Sequence, residues 1–165
     1  MKLYNIREEY IDYLITIDEK VPQNKGEKRP FVGIVFSIDR HTYFAPLSSP
    51  KPKHQRMKNA LDFHKIDKSY GVINFNNMIP VPSSQLLLID ISGITNATYK
   101  TLLQNQHRYI KQNQEVLEKK ARNLYNLCCR DIHELSAFQL KVKGRCVDFK
   151  KIQKEYINFK SQIVK

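Results

Sequence analysis

The sequence predicts an α+β domain in which helices surround a curled antiparallel sheet, forming a partly open barrel. Three observations carry this prediction. Short β-branched and aromatic runs fill the first half of the chain, one helical segment lies near its start, and the pattern becomes helical from Asn96 onward. Strands followed by helices are typical of antiparallel α+β folds. With 165 residues, of which 41% are hydrophobic, we expect residues 1–165 to form a single domain.

The N-terminal segment predicts a strand and then a helix. Residues 2–6 (KLYNI) are β-prone, and from Glu8 to Asp18 the apolar residues recur near the helical period. We expect the helix to end before Val21. Residues 23–30 are polar and rich in helix breakers, which indicates a loop.

Two consecutive β-prone runs predict a hairpin. Residues 31–38 (FVGIVFSI) form a continuous apolar run typical of a buried strand, and residues 41–47 (HTYFAPL) form the next run, with a turn expected at Asp39-Arg40. Three later segments also predict strands: YGVINF at 70–75, MIPV at 78–81 and QLLLIDI at 85–91.

The C-terminal half predicts helices. A helix, or a broken pair of helices, should run from Asn96 to about Arg130, and a final helix should begin at Asp148, a good N-cap residue. Four apolar residues of the final helix are expected to face the body of the protein: Ile152, Tyr156, Ile157 and Phe159.

The segment after residue 47 is the most informative for function. Pro50 and Pro52 predict that residues 48–54 form an exposed, stiffened loop. Two serines, two lysines and a histidine on such a loop are suited to gripping a phosphodiester. An ordinary surface turn with solvated lysines is the alternative. Because the hairpin strands are partners, Arg29 should lie at the same end of the sheet.

The net charge indicates a polyanionic partner. The chain has 28 Lys and Arg residues against 16 Asp and Glu, a formal charge of +12. Nucleic acid and an anionic membrane surface both satisfy such a charge. Residues 141–165 carry much of the excess, although a solvated helix face would look the same. Tyrosines among the charges could stack on unpaired bases.

Several classes of protein are disfavoured by missing motifs. No glycine-rich phosphate loop or dinucleotide motif occurs, the acidic residues are scattered, and the histidines lack metal-site spacing. We therefore expect no metal and no cofactor. Cys128, Cys129 and Cys146 form no CxxC pair and are expected to be ordinary thiols. No signal segment or membrane span is visible, so we expect a cytoplasmic protein.

An ordered set of sequence blocks resembles the ToxN/AbiQ family of type III toxin–antitoxin toxins over roughly residues 1–115. The blocks are YIDYL, RPFVGIV, HTYFAPLSSPKPKH, YGVINFNNMIPV, LLLIDI and ATYKTLLQNQHRYI. The resemblance implies a Kid/MazF-like fold and a sequence-specific endoribonuclease that cuts messenger RNA and its own antitoxin precursor without metal, leaving 2′,3′-cyclic phosphate and 5′-hydroxyl ends. It also implies inhibition by the processed RNA pseudoknot in a closed heterohexameric or heterotetrameric protein–RNA ring, with no DNA or membrane partner, in phage defence or plasmid maintenance.

The resemblance also implies site residues. The hydroxyl pair of the family falls on Ser48 and Ser49, its loop lysine on Lys51, its basic residue on Arg29 and an N-terminal aromatic on Tyr10. A helix tyrosine of some relatives is replaced here by glutamine. We expect further RNA contacts from Lys53, His54, Lys58, Lys65, Tyr99, Gln104, His107, Lys143, Arg145 and Lys150. The general base stays open between Lys51, Tyr10 and His54.

Two other functions compete with the nuclease. A non-catalytic RNA-binding module would use the same basic face and aromatic residues. A membrane-surface protein would be recruited by a basic amphipathic C-terminal helix, which requires exposed apolar residues on that helix.

Overall fold

The computed structural model describes residues 1–38, 41–67 and 69–163. The strands are β1 (Leu3–Ile6), β2 (Phe31–Ile38), β3 (His41–Ser48), β4 (Phe63–Lys65), β5 (Val72–Asn74), β6 (Ile79–Pro80) and β7 (Leu86–Leu88). The α-helices are α1 (Glu8–Ile17), α2 (Pro52–Arg56), α3 (Ala97–Gln112), α4 (Gln114–Cys129), α5 (Ala137–Arg145) and α6 (Phe149–Ile163). Short 3₁₀ turns cover Phe75–Asn77, Ser83–Gln85 and Ile132–Glu134. The predicted Asp39-Arg40 turn lies outside the described residues.

The strands form an open antiparallel sheet in the order β4-β5-β3-β2-β1-β7, with β6 paired to β3 off this path. This confirms the predicted α+β class and partly open sheet. Three predicted strands are shorter than expected, since β5, β6 and β7 cover only residues 72–74, 79–80 and 86–88. At β5, a positive backbone φ at Gly71 precedes the strand and a 3₁₀ turn ends it. Strand β4 was not predicted.

Strand β3 is hydrogen-bonded along both edges. On one edge it pairs with β2 in a register that sets Phe31 opposite Pro46. On the other edge, β6 pairs with the first half of β3 and β5 pairs with its end, where Ser48 lies opposite Val72. The end of β3 is therefore fixed by neighbours on both sides.

The C-terminal helices pack onto the sheet and α1 through aromatic rings. The ring centroid of Tyr43 in β3 lies 5.5 Å from that of Tyr125 in α4 and 6.2 Å from that of Phe149 in α6. Tyr10 of α1 meets Phe159 of α6 at 4.8 Å. All these rings belong to the hydrophobic core. The cysteines are free thiols, buried at 146 and half-buried at 128 and 129, as predicted.

Helix boundaries follow capping side chains. Asn96 caps α3 by accepting the N–H of Tyr99 at 2.9 Å, and the predicted long helix breaks at Asn113. The carboxylate of Asp148 accepts the N–H of Lys151 at 3.1 Å at the start of α6, as predicted. Helix α5 was not predicted; a reciprocal cap between Ser136 and Gln139 starts it.

The inward face of α6 differs from the prediction at one residue. Ile152, Tyr156 and Phe159 are buried, whereas Ile157 is 58% exposed. Adjacent residues lie about 100° apart on a helix, so Ile157 cannot share the face of Tyr156. Because the core uses this apolar face, α6 does not offer it to a membrane. In the part of the chain that the structure describes, no helix combines the length and the apolar character needed to cross a bilayer.

Gly71 allows two main-chain segments to approach closely at the end of β3. Its φ is +94°, and a Cβ atom there would lie 2.0 Å from the carbonyl oxygen of Ser48. On the neighbouring side, the amide of Gln106 donates to the carbonyl of Tyr70 at 2.6 Å. Only glycine fits this position without a main-chain shift.

We predict that Gly71→Ala lowers the free energy of unfolding by at least about 2 kcal/mol, because the new methyl group meets backbone and the φ angle is unfavourable. Gly144→Ala is the matched control. Gly144 lies in α5, where an added Cβ atom would meet nothing within 4 Å, so this variant should gain about 0.5 kcal/mol from helix propensity. Urea unfolding followed by circular dichroism measures both, and equal effects would contradict the proposed contact.

Candidate functional site

The serine–lysine loop lies where β3 ends. Ser48 is the last residue of the strand, and residues 49–51 are exposed before α2 begins at Pro52. The prediction of a non-helical loop through residue 54 is wrong. Proline is accepted in the first turn of a helix, because its missing N–H group would have no helical partner there. The exposed loop is therefore shorter and is anchored at both ends.

The hydroxyl of Ser48 is oriented by Asn74, the last residue of β5. The amide of Asn74 donates to Oγ of Ser48 at 2.9 Å and lies 3.4 Å from the carbonyl oxygen of Pro46. Because Oγ accepts this bond, the hydroxyl hydrogen can be donated to a ligand. Sequence reasoning missed the role of Asn74. The signal that could have identified it is that Asn74 is a polar residue at the end of an otherwise apolar strand.

Arg29 enters the sheet at the level of the loop. The N–H of Leu47 donates to the carbonyl of Pro30 at 2.8 Å, which continues the β2–β3 ladder toward Arg29 and Ser48. The hairpin topology predicted this placement. The Nε of Arg29 donates to the carbonyl of Gln23 at 2.7 Å, and burial lowers the pKa of the guanidinium. Arginine nevertheless stays a cation, since its ordinary pKa is so high.

His54 forms a wall between two cavities beside the loop. The loop cavity, of about 210 Å³, is lined by Pro50, Lys51, Pro52, His54, Gln55, Lys65, Ser69 and Gly71. The middle cavity, of about 390 Å³, is lined by Lys53, His54, Met57, Lys58, Ala60, Asp62, Phe63, Val72, Asn74, Asn76 and Arg145. Loop, histidine and oriented serine thus border one region of the surface.

The imidazole of His54 is held in its neutral form. The residue is 8% exposed, and its Nδ1 has no hydrogen-bond partner among the described residues. Burial first, and then the nearby charges of Lys53, Lys51 and Lys65, lower its pKa from the ordinary value of 6.5. A neutral imidazole can accept a proton at neutral pH.

The lysines predicted to contact RNA fall into two regions. Lys53 and Lys58 line the middle cavity, and Lys65 lines the loop cavity while its ammonium donates to the carbonyl of Gln55 at 3.2 Å. Among the described residues, no cluster of three or more His, Cys, Asp or Glu side chains could hold a metal ion. The polar groups gathered at the loop are hydroxyls, an imidazole and ammonium groups.

The C-terminal basic residues separate in space. Arg145 borders the middle cavity and donates from Nε to the buried carboxylate of Asp62 at 2.8 Å. Lys143 and Lys150 line a different cavity beside the cysteines, and the ammonium of Lys143 donates to the carbonyl of Arg130 at 2.8 Å. The structure therefore brings only Arg145 of this group to the loop region.

The candidate residues on α3 differ in exposure. Gln104 is exposed and Tyr99 is half-buried. The Nε2 of His107 lies 3.1 Å from the carbonyl oxygen of Met1, which gives this histidine a structural hydrogen bond. No contact joins these three residues to the serine–lysine loop in the described part of the chain.

Tyr10 does not belong to the exposed site. It is 0% exposed, and its hydroxyl donates to the carbonyl of Pro80 at 2.6 Å. Burial raises the pKa of this hydroxyl well above its ordinary value. The implied catalytic role stays a prediction, although an amphipathic α1 directs Tyr10 into the core and leaves its side chain unexposed in this structure.

Comparison with known proteins gives a consistent result along the whole chain. The profile of the family described as "Toxin ToxN, type III toxin-antitoxin system" matches residues 2–157. Endoribonuclease ToxN of Pectobacterium atrosepticum is 32% identical, with 96% of this chain and 94% of the relative covered. Endoribonuclease ToxN of Bacillus thuringiensis subsp. kurstaki is 36% identical, with 98% and 85% covered.

Solved structures show the same similarity in three dimensions. One, from work on selective toxin inhibition by a non-coding RNA pseudoknot in type III toxin–antitoxin systems, superposes with a TM-score of 0.86 at 34% identity, covering 96% of this chain and 97% of the other. AbiQ, a lactococcal anti-phage endoribonuclease, superposes with a TM-score of 0.80 at 25% identity, covering 97% and 98%.

Proposed function

The chain belongs to the ToxN family of type III toxin–antitoxin toxins, and we propose that it is an endoribonuclease that cuts RNA at the loop closing β3. The observation that carries this proposal is the exposed serine–lysine loop in which Asn74 orients the hydroxyl of Ser48. Relatives at 32% and 36% identity are named endoribonucleases. The same loop could not serve DNA cleavage by this route, because DNA lacks the attacking 2′-hydroxyl.

The proposed reaction is an in-line transesterification. The ribose 2′-oxygen forms a bond to the adjacent phosphorus, the bond from phosphorus to the 5′-oxygen breaks, and a 2′,3′-cyclic phosphate and a 5′-hydroxyl result. Negative charge grows on the phosphoryl oxygens in the transition state. Lys51 and Arg29 supply positive charge there, and the hydroxyls of Ser48 and Ser49 position the phosphate. These groups need no metal ion.

His54 is the proposed proton acceptor. Of the three candidates, Tyr10 is buried in the core, whereas His54 is held neutral and borders both cavities beside the loop. It takes the proton of the 2′-hydroxyl as the new bond forms. Lys51 can then give a proton to the leaving 5′-oxygen. This division of roles places the acid on the loop and the base on α2.

The proposed inhibitor is an antitoxin RNA. A structurally similar toxin is inhibited by a non-coding RNA pseudoknot, and the +12 charge of this chain provides the attraction that such a ligand needs. We place its phosphates along residues 51–58 and at Arg145, in a closed protein–RNA ring as the family resemblance implies. AbiQ is described as anti-phage, so phage defence is the proposed biological role.

We predict that Lys51→Ala lowers the cleavage rate at least about 100-fold, because a cation facing the developing charge is lost. Cleavage of a short RNA should survive EDTA, and end-group analysis should find a cyclic phosphate. Lys111→Ala is the matched control, since Lys111 is exposed at the end of α3 and lines neither cavity beside the loop. Cutting of an RNA with 2′-deoxyribose at the scissile position, or a strict need for Mg²⁺, would refute the in-line mechanism.

We predict that the pH profile of kcat/KM has an acidic limb below pH 6.5, because kcat/KM reports the free protein, in which the pKa of His54 is lowered from that value, and the base must be unprotonated. The value of kcat/KM should be level as pH rises from 6.5 through neutrality. In the His54→Gln variant the acidic limb should disappear, and kcat should fall about 100-fold. An unchanged profile in this variant would assign the base to another group.

We predict that binding of the proposed antitoxin RNA weakens steeply with salt, since the contacts are to phosphates. Removing one contact by Lys53→Ala should reduce the slope of log Kd against log salt by about 1, while Lys111→Ala should leave it unchanged. Fluorescence anisotropy measures both. A Kd that hardly responds to salt contradicts phosphate-dominated binding.

A further inference from the structure

A third cavity adjoins the two at the loop. The loop cavity and the middle cavity share His54 as a wall, and the middle cavity shares Ala60 with a cavity of about 660 Å³. We call this third space the Phe138 cavity; it is lined by Asn59, Ala60, Leu61, Val116, Lys119, Lys120, Asn123, Leu124, Leu127 and Phe138. Three adjoining cavities thus connect the surroundings of Lys51 to those of Phe138.

The Phe138 cavity gathers apolar side chains that the core leaves in solvent. Leu61 is 42% exposed, Val116 is 59% exposed and Phe138 is 62% exposed. These residues come from the segment after α2, from α4 and from α5, so tertiary folding brings them together. Exposed apolar residues that converge on one cavity indicate an interaction site, whereas single scattered ones do not.

The backbone beneath the Phe138 ring is fixed in place. Phe138 is the second residue of α5, and the reciprocal cap locks the start of this helix: the N–H of Gln139 donates to Oγ of Ser136 at 3.3 Å, and the N–H of Ser136 donates to the side chain of Gln139 at 2.9 Å. An exposed aromatic ring on a capped helix start is a ready platform for stacking.

The side chains lining the three cavities carry mainly positive charge, which suits a polyanionic ligand. Lys119 and Lys120 line the Phe138 cavity, and basic residues line the other two cavities. The ammonium of Lys120 points inward and donates to the carbonyl of Phe63 at 2.9 Å, whereas Lys119 is exposed. Among the described residues lining the three cavities, Asp62 is the only carboxylate, and Arg145 neutralises it.

Asn59 and Asn123 add the polar groups that a base would need. Both line the Phe138 cavity and both are exposed. A carboxamide offers two donors and an acceptor, which matches the edges of a nucleobase. The Oδ1 of Asn59 already accepts the N–H of Lys65 at 2.7 Å, so Asn59 offers chiefly its amide donors. Apolar walls, amides and an exposed lysine in one cavity fit a nucleotide better than they fit an apolar helix.

We propose that the Phe138 cavity binds an unpaired base of the RNA substrate, away from the scissile phosphate, by stacking on the Phe138 ring. The proposal rests on the proposed function, since the substrate strand must run from the loop through the middle cavity. The sugar–phosphate backbone passes Lys58 and Arg145, and Lys119 meets a phosphate near the stacked base. The cavity therefore adds affinity for longer RNA and takes no part in the chemical step.

The test compares nested single-stranded RNAs, from the shortest that the wild-type chain cuts to versions extended on both sides. Phe138→Ala should raise KM for the extended RNAs about 10-fold to 100-fold, as expected for loss of one stacking contact. It should leave kcat, and KM for the shortest RNA, unchanged. Phe138→Tyr should behave like wild type. Phe138→Leu, which keeps apolar area without the ring, should raise KM for the extended RNAs nearly as much as Phe138→Ala does.

Ile157→Ala is the matched control, because Ile157 is an apolar side chain of similar exposure on α6, 58%. An extended-RNA KM within about twofold of wild type for Phe138→Ala overturns the proposal, and so does wild-type behaviour of Phe138→Leu. A Phe138-dependent dimer in sedimentation of the RNA-free chain overturns it in favour of self-association. Failure of the proposed function gives a distinguishable result, because the wild-type chain then cuts no RNA. Fluorescence anisotropy with single-stranded RNAs of the same lengths still measures whether Phe138 contributes to binding.

Discussion

The hydrogen bonding of β3 along both edges is the constraint on which the other features depend. Strand β2 holds one edge, while β6 and β5 divide the other between them. Because β5 must reach the end of β3, the chain before it passes within contact of Ser48, and that passage requires Gly71. The same pairing delivers Asn74 to the hydroxyl of Ser48. The strand pairing of the sheet therefore also sets the geometry of the candidate site.

Burial, reinforced at two histidines by neighbouring cations, lowers the pKa of basic groups beside the sheet. Burial and the charge of Lys120 lower the pKa of His64 to about 4, and burial with three lysines lowers that of His54. Burial also lowers the pKa of Lys120. Because these imidazoles are neutral, folding brings fewer positive charges close to one another. The remaining ammonium groups are balanced best by an external polyanion, which agrees with the RNA partner proposed for this chain.

Local sequence patterns predicted most of the elements, because apolar runs and their periods report burial directly. The hairpin strands, α1, the start of a helix at Asn96, the cap at Asp148 and the position of Arg29 followed from such patterns. Contacts between distant segments did not follow from local patterns. Nothing near Tyr10 reveals that its hydroxyl meets Pro80, 70 residues later. The Phe138 cavity and the Asn74 bond also escaped prediction, because each depends on tertiary folding. Proline misled for a different reason: Pro52 predicts a break in any helix, whereas its effect depends on its position within the helix.

The placement of His54 between two cavities has a consequence for the substrate itself. The lysines that depress the proton affinity of this ring are the same groups that an entering phosphate would neutralise. A bound anion on either side therefore makes the imidazole more basic than it is in the free protein. In the reaction proposed here, bound RNA therefore makes its own proton acceptor a stronger base than the same imidazole is in the free protein.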